Sequence, residues 1–506
     1  MTTSSNSIRN FIIVTGALFL SIWLGVSVAT DQTETVINIA GVALLLTCIF
    51  LGRKIWLLLI LFTALNVPVI RGFGTTEIGQ VLFVGFTVLM TLMRRQPFRF
   101  RFGEKEVWML LLAGCILQVY LRNPVGLNIF GAGNVGARPY FMVTLAFLTS
   151  LILGNIVVSP SEIRWAFRLS IIGSLLGAFL DFIRSNIGVG PAAFQQGDQL
   201  DDGSGPARIG ILAKLPVEAA RISILFISPL RAMLHPFWAL VILFCLIGAA
   251  MSGYRTTVAT VGLILITGIA YRSGGFAVFS SLMVAATALA LLAFVNLVNP
   301  LPGNIQRALS PFPGTWEKKH TDGADESTKW RVDMWKEALF TDYWIKNKIL
   351  GDGLGFTREE LSMMENRLSG AGGGNLDNRN SGMTKQQEAM MITGGYHSGP
   401  VQTVRVVGYF GLIVLILFMI RMAVYAHRQI LRCRGTEWFP LSLYFCITVI
   451  VLPPVFILIF GDFGRDVSAV ILSYGMISLL EKNLPLPAYV KPRRAPYVLM
   501  NNRQSN

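Results

Sequence analysis

Charged residues are scarce in this sequence. Only 14% of its 506 residues are Asp, Glu, Lys or Arg, whereas 53% are hydrophobic. Soluble globular domains carry about 25% charged residues, so this composition excludes an ordinary soluble protein. Apolar runs of about 17–23 residues recur along the chain, and a helix of that length crosses a hydrocarbon core of ~30 Å. The sequence therefore predicts an all-α polytopic membrane protein.

Cysteines and metal-ligand motifs are also scarce. The chain has five cysteines, and it contains no Cys-x-x-Cys and no His-Glu-x-x-His pattern. Because structural and catalytic zinc sites use such closely spaced ligands, we expect neither a bound metal nor another cofactor. No loop predicted to be external holds a pair of cysteines, so we expect no disulfide.

The apolar runs predict about fourteen transmembrane helices. The first run is interpreted as a retained helix, because no small-residue cleavage site of the Ala-x-Ala type follows it. The segment 219–233 is the least typical, because it is short and carries Arg221 and Arg231. The predicted helices cover 11–29, 36–52, 54–70, 77–93, 107–121, 139–158, 165–185, 219–233, 236–252, 255–271, 276–298, 401–424, 439–460 and 466–481.

Basic residues between the apolar runs orient these helices. With both termini in the cytoplasm, stretches such as "RRQPFRFRFGEK" (94–105) and "HRQILRCR" (427–434) lie inside, as the positive-inside rule requires. The rule accounts for the net charge of +15 without a nucleic-acid partner. The predicted organisation is helices 1–11 in 1–298, one long external loop between helices 11 and 12 in 299–398, helices 12–14 in 399–484, and a cytoplasmic tail in 485–506.

The predicted external loop has three distinct parts. "STKWRVDMWKEALFTDYW" (327–344) spaces its apolar residues as an amphipathic helix does, and such a helix suits a membrane surface. "KILGDGLGF" (348–356) is a glycine-rich turn that allows close packing or movement. "LSGAGGGNLDNRNSGM" (368–383) has no periodicity and predicts a mobile segment.

Arginines on the predicted external side run against the positive-inside rule and are therefore informative. A single arginine at a helix end commonly extends its charge to the surface and has no further role. Several at one face suggest a cavity, because charge at membrane depth is costly. The planar guanidinium binds phosphate through two parallel hydrogen bonds, which points to a phosphorylated amphiphile as ligand. These arginines are Arg138, Arg208, Arg221, Arg255, Arg331, Arg405 and Arg465.

His397 is the histidine that best fits a catalytic base. It stands just before a predicted helix in "YHSGPVQTVRVVGYFGL" (396–412), where Ser398 suits the cap and Pro400 suits the first turn. Arg405 follows about two turns further along. A lone histidine is more often structural, but an imidazole with an ordinary pKa of ~6.5 is largely neutral at external pH, as a general base must be.

Three stretches together resemble the O-antigen ligase/polymerase superfamily of bacterial envelope glycosyltransferases. "SGYRTTVATVGL" (252–263) is similar to the family's Ser-Arg motif at the external end of a helix. "KWRVDMWKEALFTDYWIKNKILGDGLGF" (329–356) is similar to its loop pattern of Arg, Trp, Ala-Leu and Gly-x-Gly-x-Gly. The His397 stretch is similar to the segment that leads back into the membrane. A fourth stretch, "PARIGILAKLPVEAARISIL" (206–225), resembles the segment with the family's other arginine.

The resemblance implies an inverting, metal-independent glycosyltransferase of the bacterial inner membrane. Its donor would be a glycan on undecaprenyl diphosphate, and its acceptor a glycan or lipid at the outer face. His397, Arg255 and Arg208 are then the predicted catalytic residues, with Arg221 competing for the role of Arg208. The expected partners are membrane lipid and, from the same pathway, a chain-length regulator and a flippase. The predicted substrate-binding residues are Arg221, Arg331, Arg405, Arg138 and Arg465.

Other functions stay open at this point. The family includes both exopolysaccharide or O-antigen polymerases, which we prefer, and ligases that use a terminal lipid acceptor. A lipid-linked glycan transporter is disfavoured because no carboxylate is evident in the middle of a predicted helix. A non-catalytic assembly protein has no reason to keep the His–Arg set. A cell-wall transglycosylase would use a loop carboxylate, for which the candidates are Asp322, Asp325, Glu326, Asp333, Asp352 and Asp377.

Overall fold

The computed structural model describes residues 33–70, 73–93, 103–127, 136–187, 209–357, 359–360, 362 and 390–485. The predicted helix 11–29, the glycine-rich segment 368–383, the tail from 486 onward and Arg208 lie outside these residues. The described part is almost entirely helical, and its one small sheet pairs two short antiparallel strands.

The helices follow one another in the order that the apolar runs predict. They are α1 Thr33–Leu51, α2 Trp56–Leu65, α3 Thr75–Leu92, α4 Glu104–Arg122, α5 Arg138–Leu153, α6 Pro160–Ile187, α7 Gly210–Phe226, α8 Pro229–Ala232, α9 Pro236–Met251, α10 Arg255–Ser273, α11 Gly275–Val298, α12 Gly303–Leu309, α13 Lys318–Phe340, α14 Gly399–Cys433, α15 Phe439–Pro454 and α16 Phe463–Asn483, with strands β1 Pro68–Ile70 and β2 Phe73–Gly74 between α2 and α3. A π-helical turn, Val455–Ile459, continues α15.

Seven of the described helices are long and apolar enough to cross a membrane. They are α3, α6, α10, α11, α14, α15 with its π-turn, and α16. Together with the composition they support an all-α membrane protein. The total of fourteen spans stays a prediction.

Two predicted boundaries were wrong for local reasons. The predicted helix 54–70 ends at Leu65, because Asn66 adopts a left-handed conformation with φ 44° and the chain then enters β1. Asparagine is among the few residues that adopt this conformation readily. The predicted helix 219–233 begins earlier, at Gly210, and ends at Phe226, since Pro229 disfavours helical geometry at the residue before it.

Because α7 begins at Gly210, the prediction that no carboxylate lies in the middle of a helix is wrong. Glu218 occupies the middle of α7 and pairs with Arg221 at 2.6 Å. The predicted helix begins at residue 219, so Glu218 falls just outside it. The sequence argument against a transporter therefore loses its main observation.

The core of the bundle forms around α14. This helix packs against α15, α16 and α4, while α16 packs along α5. Phe418, Tyr444 and Ile471, one from each of α14, α15 and α16, are fully buried there. By contrast, α11 contacts little besides α10, and Asn296 is its one buried residue. The centre of the molecule is thus the element that begins next to His397.

The helix predicted in 327–344 is present as α13, which is longer at its start and ends at Phe340. Met334 and Ala338, one turn apart, are fully buried. They form a small apolar cluster with Tyr396 before α14 and with Val401 and Val404 in its first turns. The apolar face of α13 therefore packs on the start of α14, whereas we expected it to face a membrane surface.

Candidate functional site

His397 lies where the chain turns into α14. The helix begins at Gly399, Ser398 occupies its N-cap position, and Pro400 lies in its first turn. The Ser398 side chain, however, makes no capping hydrogen bond. The backbone of His397 has φ 50°, which is uncommon for a residue with a side chain. Such a conformation persists only where the surrounding structure enforces it, and these sites are often functional.

Close backbone packing enforces the conformation beside His397. A Cβ atom on Gly399 would come within 2.5 Å of the Phe456 carbonyl oxygen in the π-turn. A Cβ atom on Gly461 would come within 2.7 Å of the Gly399 Cα. Only glycine allows this approach, which holds the start of α14 against the segment between α15 and α16.

Arg465 meets His397 across one aromatic ring. The ring centroids of His397 and Phe460 are 5.4 Å apart, and the Arg465 guanidinium carbon lies 5.7 Å from the same Phe460 centroid. Arg465 also pairs with the buried carboxylate of Asp466 at 2.9 Å. Asp462 caps α16 by accepting from the Arg465 N–H at 2.8 Å. The structure thus brings one predicted arginine and the predicted base to the same aromatic ring.

Tyr396 connects His397 to α13. Its carbonyl oxygen accepts a hydrogen bond from Trp335 Nε1 at 2.7 Å. The Tyr396 side chain is fully buried, and its hydroxyl has no hydrogen-bond partner among the described residues. Burial raises the pKa of the Tyr396 phenol, so the group stays neutral. This tyrosine fixes the position of the residue that precedes His397.

Arg255 also contacts α13, at a position closer to the start of that helix. It is the first residue of α10, and its Nη1 donates to Thr328 Oγ1 at 3.1 Å. Thr328, Arg331 and Trp335 are spaced three and four residues apart, so they lie on one face of α13. That face of α13 therefore contacts Arg255 through Thr328 and the His397 segment through Trp335. Arg331 lies between these two contacts.

Arg405 has a different environment. Its Nη1 donates to the Thr393 carbonyl at 2.7 Å, its Nη2 donates to the Ile392 carbonyl at 3.2 Å, and its guanidinium lies 4.9 Å from the Phe356 centroid. A side chain on Gly394 would collide with the guanidinium. Arg405 holds the segment that leads to His397, and its hydrogen-bonding capacity is partly used for this purpose.

No described contact joins Arg221 or Arg138 to the His397 segment. Arg221 lies 4.3 Å from the Tyr444 centroid and pairs with Glu218. One turn further, the carbonyls of α7 accept from Arg272, at the end of α10 opposite Arg255. Arg138 begins α5, is buried, and lies 4.8 Å from the Phe73 centroid. The structure thus places Arg221 away from Arg255. Arg208, the other candidate for the same role, lies outside the described residues.

The glycine turn, residues 348–355, packs against α14. Gly351, Gly353 and Gly355 have φ of 82°, 107° and 82°, which glycine alone adopts readily. A Cβ atom on Gly351 would lie 2.5 Å from the Val406 carbonyl oxygen. The close packing that the sequence predicts for this turn is confirmed, and its partner is the backbone of α14.

That backbone is interrupted at Gly408, which has φ 74° and ψ 179° inside α14. The glycine turn replaces helical hydrogen bonds that the interruption breaks. Asp352 N donates to the Arg405 carbonyl at 2.6 Å, and Tyr409 N donates to the Lys348 carbonyl at 2.7 Å. The two turns of α14 between His397 and Gly408 are therefore held by the glycine turn.

Residues missed by the sequence analysis hold the glycine turn from its other side. At the end of α4, Gln118 Nε2 donates to the Leu350 carbonyl at 2.9 Å, and Asn123 Nδ2 donates to the Asp352 carbonyl at 3.1 Å. Arg122 donates to the Gly351 carbonyl. In the sequence, these residues could have been recognised as a group of polar side chains at the end of an otherwise apolar run.

Cavities of 610, 520 and 250 Å³ occur in the described part of the chain, and neither His397 nor Arg255 lines any of them. A pocket shared by His397 and the external arginines is therefore not among these cavities. Within the described ranges, no group of three or more His, Cys, Asp or Glu side chains is arranged to hold a metal ion.

The fold defines the class of the protein as a helical membrane protein. No protein-family model matches the sequence. No curated protein matches it either. Any more specific assignment therefore depends on the motifs and on the geometry around His397.

Proposed function

We propose that the protein is a membrane glycosyltransferase that acts on a glycan carried by undecaprenyl diphosphate. The proposed reaction is polymerisation of exopolysaccharide or O-antigen units, with inversion and without a metal. The alternative within the same chemistry is a ligase that transfers the glycan to a terminal lipid acceptor. The motifs around Arg255, Arg331, Gly351 and His397, in their order along the chain, support the proposal.

One observation carries the proposal: a single face of α13 contacts both Arg255 and the segment of His397. Thr328 accepts from Arg255, and Trp335 donates to the carbonyl of the residue before His397. Residues separated by more than a hundred positions in the chain are thereby held by one rigid element. A general base and phosphate-binding groups need such support to keep their geometry.

The proposed chemistry assigns a separate task to each group. His397 takes the proton from the acceptor hydroxyl as that oxygen forms a bond with the anomeric carbon. The bond from the anomeric carbon to the diphosphate breaks, and undecaprenyl diphosphate leaves with the additional negative charge. Arg255, Arg331 and Arg465 stabilise that charge in the way that metal ions do in other transferases.

The proposal includes a topology. Fourteen helices cross the bacterial inner membrane, both termini are cytoplasmic, and residues 299–398 form the external loop. His397 and Arg255 then lie at the outer face, where the glycan of the donor is exposed. Cysteine-scanning accessibility tests this directly, with Thr328→Cys expected to react from outside and Ser273→Cys expected to react from inside.

Glycan analysis of a deletion strain tests the function. Loss of a polymerase leaves single repeat units on the lipid carrier. Loss of a ligase leaves long chains on the carrier and none on the terminal acceptor. An unchanged distribution of lipid-linked and finished glycan would contradict both forms of the proposal.

His397→Gln tests the proposed base. We expect transfer to fall by about 10²–10⁴-fold, because general base catalysis contributes that much. The matched control is His235→Gln, since His235 is exposed at the start of α9. Both variants are to be compared in the complemented deletion strain, with the amount of folded protein in the membrane measured alongside. Equal transfer by the two variants would remove the role of His397.

A further inference from the structure

The end of the bundle opposite His397 contains a basic cavity of about 250 Å³. Arg434, which lines it, follows the last residue of α14, and Arg272 lies at the end of α10 away from Arg255. No acidic side chain is among the described residues that line the cavity. Its polar lining is Arg231, Arg272, Arg434, Ser228, Ser273 and Tyr271.

Arg272 is explained by the fold alone. Its guanidinium donates to the carbonyls of Ile224 and Leu225 at the end of α7 and lies 5.3 Å from the Phe439 centroid. Cations commonly stabilise helix ends in this way, because the last carbonyls of a helix have no partner within it. A ligand is not needed to account for this residue.

Arg231 and Arg434 are not explained in this way. Both are exposed, and neither side chain makes a hydrogen bond or an ion pair with another described residue. The positive-inside rule explains why basic residues lie at this end, but it does not explain why they converge on one cavity. The cavity holds roughly eight water volumes, so both guanidinium groups border one small space, and an anion in it would be attracted to both.

Two serines add hydrogen-bond donors without adding charge. Ser228 Oγ and Ser273 Oγ are 2.6 Å apart. In such a pair one hydroxyl donates to the other, and the second hydroxyl keeps its proton for a further acceptor. Both serines line the basic cavity, so a remaining O–H donor is available to a ligand in it.

We propose that the basic cavity binds a phosphate group, with the headgroup of an anionic phospholipid in the adjacent leaflet as its source. Arg231 and Arg434 would bind the phosphate oxygens through paired N–H donors, and the serine hydroxyl would donate to a third oxygen. Phe226, Ile227 and Phe439 line the same cavity and suit the apolar part of a lipid. The site is separate from His397 and stands independently of the proposed function.

Lipid binding to the purified full-length protein tests this site. The Arg231→Gln/Arg434→Gln variant is compared with Arg168→Gln/Arg428→Gln, which removes the same charge from exposed arginines of α6 and α14. Native mass spectrometry measures retention of phosphatidylglycerol, with phosphatidylcholine as the neutral-headgroup reference. We expect affinity for phosphatidylglycerol to fall about tenfold in the first variant and to stay close to wild type in the second.

Two further arms identify the source of the phosphate and exclude simple charge attraction. Ser228→Ala/Ser273→Ala keeps the net charge, and we expect about threefold weaker phosphatidylglycerol binding. Retention of the lipid in millimolar inorganic phosphate supports a lipid headgroup, whereas its displacement supports a free phosphate anion in the same site. Equal losses in both arginine pairs, with no loss in the serine pair, would overturn the proposal.

Discussion

The two ends of α10 carry arginines in contrasting environments. Arg272 donates to two main-chain carbonyls of α7, whereas Arg255 donates to the side-chain hydroxyl of Thr328 in α13. The carbonyls belong to the end of a helix and have few alternative partners. A threonine hydroxyl accepts and donates in several directions and can exchange its partner. The contrast teaches that an arginine at a helix end can be held by main-chain carbonyls at one end of the bundle and by a side-chain hydroxyl that can exchange its partner at the other.

Lysine substitution at both positions gives the largest expected effect of this comparison. Arg255→Lys keeps the charge but loses the planar fork, so we expect transfer to fall by about 10²–10³-fold with little change in stability. Arg272→Lys leaves a carbonyl of α7 without a donor, and we expect a loss of about 1–3 kcal/mol in unfolding free energy. The measurements are transfer rates in reconstituted membranes and thermal unfolding of the same samples.

The opposite pattern would break the comparison between the two arginines. If Arg255→Lys destabilises the protein as much as Arg272→Lys, both arginines are structural. If Arg272→Lys lowers the transfer rate per folded molecule, the two ends are coupled through α10. Because protein amount and rate are measured separately, the two outcomes are distinguishable.

The two parts of α14, the helix that runs between the two ends of the bundle, also differ from each other. Gly408 divides its first turns, near His397, from its long continuous remainder. A Cβ atom at Gly408 would lie 2.1 Å from the Ile349 carbonyl oxygen, and φ 74° with ψ 179° is a conformation that glycine alone adopts. We expect Gly408→Ala to cost on the order of 3 kcal/mol in unfolding free energy and to release the glycine turn.

Gly262→Ala in α10 is the matched control for this substitution. No atom lies within 4 Å of a Cβ built there, so alanine is expected to be neutral or to stabilise the helix by about 0.5–1 kcal/mol. Hydrogen exchange of residues 348–355 reports release of the turn. Unchanged protection in the Gly408→Ala variant would show that the turn does not depend on the interruption of α14.

Hydropathy and charge were sufficient to predict the helical class, the order of the helices and the start of α14 next to His397. They were insufficient for the interruption at Gly408, because its conformation depends on hydrogen bonds from the glycine turn more than fifty residues earlier. They were also insufficient for Arg221. The charge of Glu218 lowered the apolarity of the first half of α7, so the helix was predicted too late in the chain and the Glu218–Arg221 pair was missed. Patterns along a chain indicate that an element is present, but they do not identify the carbonyl or ring that an arginine meets.

Trp335→Phe tests the His397 end of the bundle, and its expected effect on the transfer rate is smaller. The variant keeps the aromatic packing and loses the hydrogen bond to the Tyr396 carbonyl, which costs about 1 kcal/mol. We expect increased hydrogen exchange at residues 396–398 and a lower transfer rate, because His397 is held less firmly. Trp344→Phe loses a comparable bond to Glu337 and is the control, with an expected stability loss but no change in rate. Equal rates in both variants would show that the Trp335 bond does not position His397.

The smallest effect is expected for Tyr396→Phe. The hydroxyl is buried without a hydrogen-bond partner among the described residues, so its removal avoids the cost of burying an unpaired polar group. We expect the unfolding free energy to stay the same or rise by up to about 1 kcal/mol, and the transfer rate to stay near wild type. A clear loss of rate with unchanged stability would mean that the hydroxyl reaches the acceptor or the donor during the reaction. Tyr396 would then belong with His397 and Arg255 among the groups that act on the substrate, and its burial would have to be relieved when the substrate binds.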